Sequence, residues 1–288
     1  MKLEIPPEFI RQYRAGTFRT LPGKRIKSKE EAVDFVNERG FVYFWPIKDI
    51  VLPSLWVAVA GDRPVADEHD DPGHVTWGWK DALLGSRQWY YAKVLRQRAT
   101  MISLEVVPFF FALSSNYGAP ESDYLTLYEQ GKLTQEAKSV YESLLEKSPL
   151  DTVQLRQKTR LTSRDSDYRF NRAMNELQSD FKILPVGVTN SGGWRYAFAF
   201  DLVSRHLPEI PEKARLIQES EARRKLVEIY FRSVGAGRLN DLAKLFGWRL
   251  DEIEKAIDDL VKTDVLRRDL RIEGENGGWI LLADLVEN

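Results

Sequence analysis

An internal repeat in the C-terminal half of this 288-residue chain constrains the fold more than any other sequence feature. Residues 188–203 read VTNSGGWRYAFAFDLV and residues 273–286 read EGENGGWILLADLV. Both stretches place Gly-Gly-Trp after a polar turn and end in Asp-Leu-Val. The similarity continues upstream at an offset of about 83–85 residues, so two copies of one structural unit are expected here.

The residue pattern of each copy predicts the same order of elements: a helix, a short helix, a turn, a third helix and a hairpin. In the first copy the apolar pattern of the first helix stops before Pro149, and helices are expected at Thr152–Lys158 and about 165–179. The hairpin at 182–200 has a polar, glycine-rich tip that suits positive φ. In the second copy the matching segments are Leu226–Val234, Leu239–Phe246, Leu250–Lys262 and 264–282. This order is typical of a winged helix-turn-helix.

The predicted fold class is α+β, mainly helical, with tandem winged helix-turn-helix domains and an aromatic-rich N-terminal module. The predicted domains are an N-terminal module at 1–131, a first winged helix at 132–204, a linker at 205–221 and a second winged helix at 222–288. Two prolines and dense charge in the linker favour a surface connection. Within the N-terminal module, a degenerate third winged helix near 5–60 is an alternative.

One helix of the N-terminal module has a recognisable start and end. Ser28 followed by Glu31 is the pattern of a capping box, apolar residues follow, and Gly40 is expected to end the helix.

Composition restricts the function classes. The chain is 43% hydrophobic and 30% charged, which is ordinary for a globular protein. The absence of cysteine excludes disulfides, thiolate metal sites and a cysteine nucleophile. No apolar run approaches ~18 residues and the N-terminus lacks a signal-peptide layout, so we expect no membrane association and a cytoplasmic, nucleoid-associated location. No phosphate loop or dinucleotide fingerprint occurs, and no cofactor is predicted.

The third helix of the first copy suits DNA recognition. In a helix-turn-helix this helix enters the major groove, where Arg and Asn make bidentate contacts with guanine and adenine edges. Basic and amide side chains cluster on and just before it: Arg156, Lys158, Arg160, Arg164, Arg169, Asn171, Arg172 and Asn175. The predicted partner is double-stranded DNA, intact or damaged, and the oligomeric state is left open. A solvated helix surface is the alternative interpretation.

The corresponding helix of the second copy is acidic instead. It carries Asp251, Glu252, Glu254, Asp258 and Asp259, which would repel phosphates. We expect this second unit to pack against the rest of the protein or another chain.

Aromatic residues are concentrated in the N-terminal module. Five of the eight tryptophans lie between Trp45 and Trp89, bordered by Arg87, Lys93 and Arg96. Such a surface could stack on unpaired or flipped bases, and core packing is the alternative. The nearby stretch 67–74 combines two histidines with four carboxylates, but its Pro and Gly prevent a helix from presenting the histidines together. We interpret it as a solvated acidic loop and predict no metal site.

The segment after Gly40 carries a family resemblance. Residues 40–47 read GFVYFWPI and follow a helix, and residues 76–80 read TWGWK. With the winged-helix layout, these features resemble the AlkZ/YcaQ family of bacterial DNA glycosylases, which excise alkylated bases and unhook interstrand crosslinks. The family motif is Gln, an aliphatic residue, and Gln or Asp. The resemblance places this motif on Tyr43, Phe44 and Trp45, and Trp79 where the family has histidine.

This departure from the motif has a chemical consequence. Hydrolysis of an N-glycosidic bond needs a polar group that positions or deprotonates water. Trp45 cannot do this and Tyr43 offers only a phenol, so a substitute acid such as Asp49 is the remaining candidate in this segment. The resemblance therefore implies a DNA-binding protein linked to damage recognition or repair, with slow or absent base excision. A transcriptional regulator without enzymatic activity and a protein-interaction module remain alternatives.

Overall fold

The computed structural model describes residues 4–275 and 277–285, and the chain is mixed α and β with helices predominating. Residues 1–3 of the predicted N-terminal module, and residues 276 and 286–288 of the second copy, lie outside the described residues. The described chain begins with strand β1 (Glu4–Ile5) and helix α1 (Pro7–Thr17). No helix in the described ranges is long and apolar enough to span a membrane.

The next segment forms what we call the N-terminal unit, residues 29–102. The Ser28 hydroxyl accepts the Glu31 amide at 3.2 Å, and Gly40 at φ +76° ends the helix, as the sequence predicts. A Cβ at position 40 would lie 2.7 Å from the Ile229 side chain, so this turn also requires glycine for space. The unit consists of α2 (Lys29–Arg39), β2 (Phe41–Tyr43), α3 (Leu55–Ala60), α4 (Val75–Leu83), β3 (Tyr90–Lys93) and β4 (Ala99–Ile102).

Two short helices, α5 (Val107–Phe111) and α6 (Asp123–Glu129), lead into the middle unit, residues 135–202. This unit corresponds to the first sequence copy. Asp151 caps its second helix by accepting the amides of Val153 and Gln154. The unit consists of α7 (Gln135–Glu146), β5 (Leu150–Asp151), α8 (Thr152–Lys158), α9 (Asp167–Ser179), β6 (Ile183–Thr189) and β7 (Ala197–Leu202).

Two more helices, α10 (Val203–His206) and α11 (Glu209–Ala214), connect to the C-terminal unit, residues 219–282, which corresponds to the second sequence copy. Its elements are α12 (Glu219–Val234), β8 (Ala236–Gly237), α13 (Leu239–Phe246), α14 (Leu250–Lys262), β9 (Leu266–Ile272) and β10 (Trp279–Leu282).

All three units share one topology. In each, a short strand after the first helix pairs antiparallel with the second strand of the hairpin, which gives the sheet orders β2-β4-β3, β5-β7-β6 and β8-β10-β9. The third unit with this topology therefore covers residues 29–102 and not the segment 5–60 that the sequence suggested as an alternative. The earlier elements belong elsewhere because β1 adds in parallel to β9, and Ile10 of α1 is buried against the C-terminal sheet.

The segment 205–221, expected as a surface linker, is instead largely helical and partly buried. Leu207, Ile210 and Ala214 are almost fully buried, and α11 packs against α5. Pro208 and Pro211 are compatible with this because they lie at the start of α11, where no helical hydrogen bond needs their missing N–H groups. The prolines therefore begin a helix here and do not mark an exposed connection.

The largest core joins the N-terminal and C-terminal units. The Phe41 ring of β2 contacts the ring of Phe110 on α5, at 5.3 Å between centroids, and the ring of Phe246 on α13, at 5.9 Å. The middle unit contributes Phe181 and Leu184 to this core and also has a core of its own, centred on Leu144, Phe170 and Leu177.

Replacing Leu207 by Ala tests whether the segment 205–221 is buried. Leu207 is 1% exposed and Leu216, nine residues later in the same segment, is 83% exposed. We expect Leu207→Ala to lower the free energy of unfolding by about 2–5 kcal/mol because a cavity is created. The control Leu216→Ala should change it by less than about 0.5 kcal/mol. Urea denaturation measures both, and equal values would contradict the packing of α10 and α11.

Candidate nucleic-acid interface

The first two motif positions suggested by the resemblance are buried: Tyr43 is the last residue of β2 and Phe44 follows it. The Tyr43 ring is fully buried, and its hydroxyl donates to the Leu95 carbonyl at 3.5 Å. Burial raises the pKa of Tyr43 to about 12. This phenol is therefore fully protonated near neutral pH and has no route to act as a general base.

Trp45, the third motif position, lies at the edge of a surface cavity of about 550 Å³. Its ring contacts Phe44 and Trp77 at centroid distances of 5.2 and 5.7 Å. Asp67, His69 and His74 also line the cavity. Within the described residues, the buried indole Nε1 of Trp45 has no hydrogen-bond acceptor.

Asp49, the substitute acid, is exposed and is not among the residues that line this cavity. The catalytic assignment of Tyr43, Trp45 and Asp49 stays a prediction, and the geometry brings only Trp45 to a cavity.

The acidic stretch beside the cavity is held by local contacts. Asp71 accepts the Arg63 guanidinium at 2.6 Å and the Gly73 amide at 2.7 Å, and these hydrogen bonds lower the pKa of Asp71. The His74 ring lies 3.0 Å from the Ala66 carbonyl and 6.4 Å from the His69 ring. Among residues 4–275 and 277–285, no group of three or more His, Cys, Asp or Glu could hold a metal ion.

Several basic side chains expected at DNA already have partners within the protein. Arg156 pairs with Asp167 at 2.8 Å, Lys158 with Glu146 at 2.8 Å, and Arg169 with Glu136 at 3.1 Å. Arg87, from the N-terminal unit, pairs with Glu209 at 2.8 Å. Each partner offsets the positive charge that a phosphate would meet. The sequence pattern did not reveal this because the acids lie on other elements.

Other members of the set are free. Arg160, Arg164 and Arg172 are exposed, and in the described part of the chain no ion pair joins them to an acid. Along α9, Tyr168, Arg172 and Asn175 follow at spacings of four and three residues, which places them on one helix face. Asn171 is exposed beside them, and Tyr168 is 75% exposed.

The hairpin of the N-terminal unit meets this face. The Lys93 ammonium donates to the Asn175 amide oxygen at 3.0 Å, and the Lys93 backbone N–H donates to the Gln178 side chain at 3.2 Å. The turn Leu95–Gln97 packs against α9, which brings the exposed Arg96 alongside. Two segments far apart in sequence thus form one surface, which we call the basic face: Lys93, Arg96, Arg164, Arg172 and Asn175.

Helix α14 of the C-terminal unit presents the opposite charge. Ile253, Ile257 and Leu260 are buried within the unit, whereas Asp251, Glu254 and Asp258 are exposed. The unit itself packs against the rest of the chain, as expected, through the core in which Phe246 contacts Phe41, while these three acids stay at the surface. Asp251, Glu252, Asp258 and Asp259 instead form ion pairs with Arg249, Arg223, Arg268 and Lys262.

A buried lysine connects the N-terminal and middle units. Lys80 of α4 is 1% exposed, and its ammonium lies 2.8 Å from Asp81 and donates to the Tyr196 hydroxyl at 3.0 Å. The Tyr196 hydroxyl donates in turn to Asp81 at 2.8 Å. Aromatic rings surround the ammonium, the nearest being Trp77 at 4.3 Å and Phe198 at 4.6 Å from nitrogen to centroid.

The energetics of this cluster depend on its completeness. Burial lowers the pKa of Lys80, while the Asp81 carboxylate acts in the opposite direction. Burial and the hydrogen bond to Asp81 raise the pKa of Tyr196. A buried ammonium is tolerated only when it is paired and hydrogen-bonded. Tyr196 belongs to the middle unit, so its position relative to α4 is fixed by this charge.

Our sequence reasoning missed Lys80, Asp81 and Tyr196 as a group. One signal was present, since Thr76, Lys80 and Leu83 recur at helical spacing and form the buried face of α4. A lysine on that face requires a partner. The partner's identity was not readable because Tyr196 lies 116 residues away.

Comparison with known proteins gives two matches. A family model described as AlkZ related matches residues 26–247. The fold is similar to that of the Streptomyces sahachiroi DNA glycosylase AlkZ, with a TM-score of 0.59, 11% sequence identity, and coverage of 99% of this chain and 72% of that one. No curated protein sequence matches.

Replacing Asp81 by Asn tests the buried cluster. The Lys80 ammonium would then be buried without a counter-ion, so we expect a loss of about 3–5 kcal/mol in the free energy of unfolding. Adding Lys80→Met to this variant should recover part of the loss, because the uncompensated charge is removed. The control Glu142→Gln breaks a partly exposed ion pair with Lys138 and should cost less than about 1 kcal/mol. Equal losses from Asp81→Asn and Glu142→Gln in urea denaturation would contradict the role of Asp81.

Proposed function

The chain belongs to the AlkZ-related family, and from this we propose that it binds double-stranded DNA and recognises damage in it. The observation that carries the proposal is the basic face, where Arg172 of α9, Arg164 of the turn before it and Arg96 of the N-terminal hairpin turn are exposed and have no acidic partner in the described chain. Phosphates are the natural partners of such side chains, because each neutralised phosphate releases condensed counterions.

We assign each of the three repeated units as a winged helix-turn-helix. In that assignment α4, α9 and α14 are the third helices and the hairpins are the wings. The middle unit is the one that faces DNA. The positive charge of this unit lies in its part after the first helix: residues 152–200 carry eight Lys or Arg against four Asp or Glu. The exposed acids of α14 would repel phosphates, so the C-terminal unit acts as a support for β1, α1 and α2.

The basic face favours damage recognition over a regulator that inserts a free-standing helix. The Asn175 amide of α9 is bonded to Lys93, and the turn Leu95–Gln97 packs beside it. A duplex on α9 would therefore also touch the hairpin turn of the N-terminal unit. A protein that recognises damage in chromosomal DNA would be associated with the nucleoid.

Base excision through the family motif positions is not part of the proposal. A water-activating group must accept a proton near neutral pH. The raised pKa of Tyr43 and the weakly basic indole of Trp45 do not provide one. Recognition of damage without rapid excision is the function that the geometry supports best.

Removing the unpaired arginines should weaken binding in a salt-dependent way. We expect the triple variant Arg160→Ala, Arg164→Ala, Arg172→Ala to flatten the slope of log affinity against log salt by up to about 3 units on a short duplex. The control variant Arg11→Ala, Arg224→Ala, Arg249→Ala removes the same number of exposed charges from other elements and should leave the slope close to that of the wild type. Fluorescence anisotropy from low to high salt measures both slopes. Equal flattening by both variants would remove α9 from the interface.

Excision is tested directly on duplex containing 7-methylguanine. A general base contributes typically ~10²–10⁴-fold, so its absence should leave excision slow or undetectable after alkaline cleavage of abasic sites. Tyr43→Phe should not change the result, because the phenol carries no catalytic proton. Multiple-turnover excision would overturn this expectation, and Asp49→Asn and Asp67→Asn would then identify the acid.

A further inference from the structure

The repeated Gly-Gly-Trp motif has opposite environments in its two copies. In the C-terminal unit Trp279 begins β10, is 9% exposed and has the Arg238 guanidinium over its ring at 4.2 Å. In the middle unit Trp194 lies in the loop before β7 and is 95% exposed. In the strand register Trp279, opposite Leu270, corresponds to Ala199, opposite Gly187. Trp194 therefore lies five residues before the equivalent strand position, on the loop and outside the sheet.

The exposed indole sits on a loop that is fixed at its start. Asp151 is 4% exposed and accepts the hydroxyls of Thr189 at 3.0 Å and Ser191 at 2.8 Å. Burial alone would raise the pKa of Asp151, but these bonds and those from the Val153 and Gln154 amides lower it overall. The carboxylate therefore stays charged and holds the loop near neutral pH.

The end of the loop is fixed by the buried lysine. Tyr196, two residues after Trp194, is bonded to Asp81 and Lys80 of α4. Between the two anchors, the Arg195 amide donates to the Gly192 carbonyl at 3.1 Å to close a tight turn. Residues 193–195 project from this turn and are exposed.

We propose that Trp194 is a stacking residue that inserts at an unpaired or unstacked base of duplex DNA. Apolar side chains that enter a base step partly unstack it, and an indole face stacks on any exposed base. Charge complementarity selects DNA as the occupant: Arg195 adjoins the indole, and residues 188–200 contain no Asp or Glu. The same unit carries Arg164 on the turn before α9 and Arg172 on α9, and no ion pair joins either to an acid in the described chain. The two anchors hold the indole outward in advance, so that little ordering is needed when the base is met.

This inference rests on the proposed function and makes it more specific. It assigns the damage sensor to the wing of the middle unit, whereas the family motif positions lie at the end of β2 and just after it. A base that has lost its partner is the preferred target, because least stacking and pairing energy must be given up there.

The test compares two duplexes of one sequence, one intact and one with an abasic site opposite 2-aminopurine, a base whose fluorescence reports stacking. We expect Trp194→Ala to lower affinity for the abasic duplex by about 5- to 150-fold, the range given by loss of one base–aromatic stack, and to change affinity for the intact duplex much less. Trp194→Phe should retain most of the affinity, and the salt slope should not change because no charge is removed. The 2-aminopurine signal should be quenched by the wild type and not by Trp194→Ala.

A matched control is Tyr117→Ala, since Tyr117 is also an exposed aromatic residue, at 65%, but lies between α5 and α6. It should leave both affinities unchanged, and both variants should keep the thermal midpoint of the wild type. If Trp194→Ala binds the abasic duplex as tightly as the wild type, or weakens both duplexes equally, the stacking role is overturned while DNA binding stands. If the wild type binds neither duplex, the proposed function fails with it.

Discussion

The buried ammonium of Lys80 is the contact on which the arrangement of the N-terminal and middle units depends. A charge with almost no exposure must be compensated within the protein, and Asp81, Tyr196 and the surrounding rings do so together. Because Tyr196 comes from the middle unit, the two units cannot separate without exposing or stranding that charge. The pairing therefore acts over a distance of 116 residues in sequence.

Two features of the candidate interface lie where the N-terminal and middle units meet. On one side, the hairpin of the N-terminal unit lies against α9, where Lys93 bonds to Asn175 and the basic face is completed. On the other side, the loop that carries Trp194 begins at Asp151 and ends at Tyr196. The buried charge therefore fixes one end of the loop that carries the exposed indole, and the separate bond between Lys93 and Asn175 holds the hairpin against α9. The C-terminal unit, whose α14 is acidic, contributes instead to the core through Phe246.

The aromatic residues at the motif positions illustrate how burial changes the chemistry that a sequence suggests. Tyr43 offers only a phenol, which is already neutral near pH 7, and its burial raises the pKa further, to about 12. The sequence offered these basic residues, among others, as equally good candidates for contacts with DNA: Arg156, Lys158, Arg164, Arg169 and Arg172. Three of them, Arg156, Lys158 and Arg169, are paired with acids. Their acidic partners on other elements distinguish them, and no local pattern shows such partners.

The sequence by itself determined the local elements and the repeat. The spacing of apolar residues, the Ser28 cap and the glycine ends located α2, α8, α13 and α14, because these signals act within a few residues of one another. It did not locate the N-terminal unit at residues 29–102, whose equivalence appears only in the strand order β2-β4-β3. The tertiary structure alone decided that Trp279 is buried and Trp194 exposed, because burial depends on the register of the indole relative to its strand and on distant neighbours such as Arg238. It also decided which charges meet, since Lys80 and Tyr196 become partners only when two units pack together.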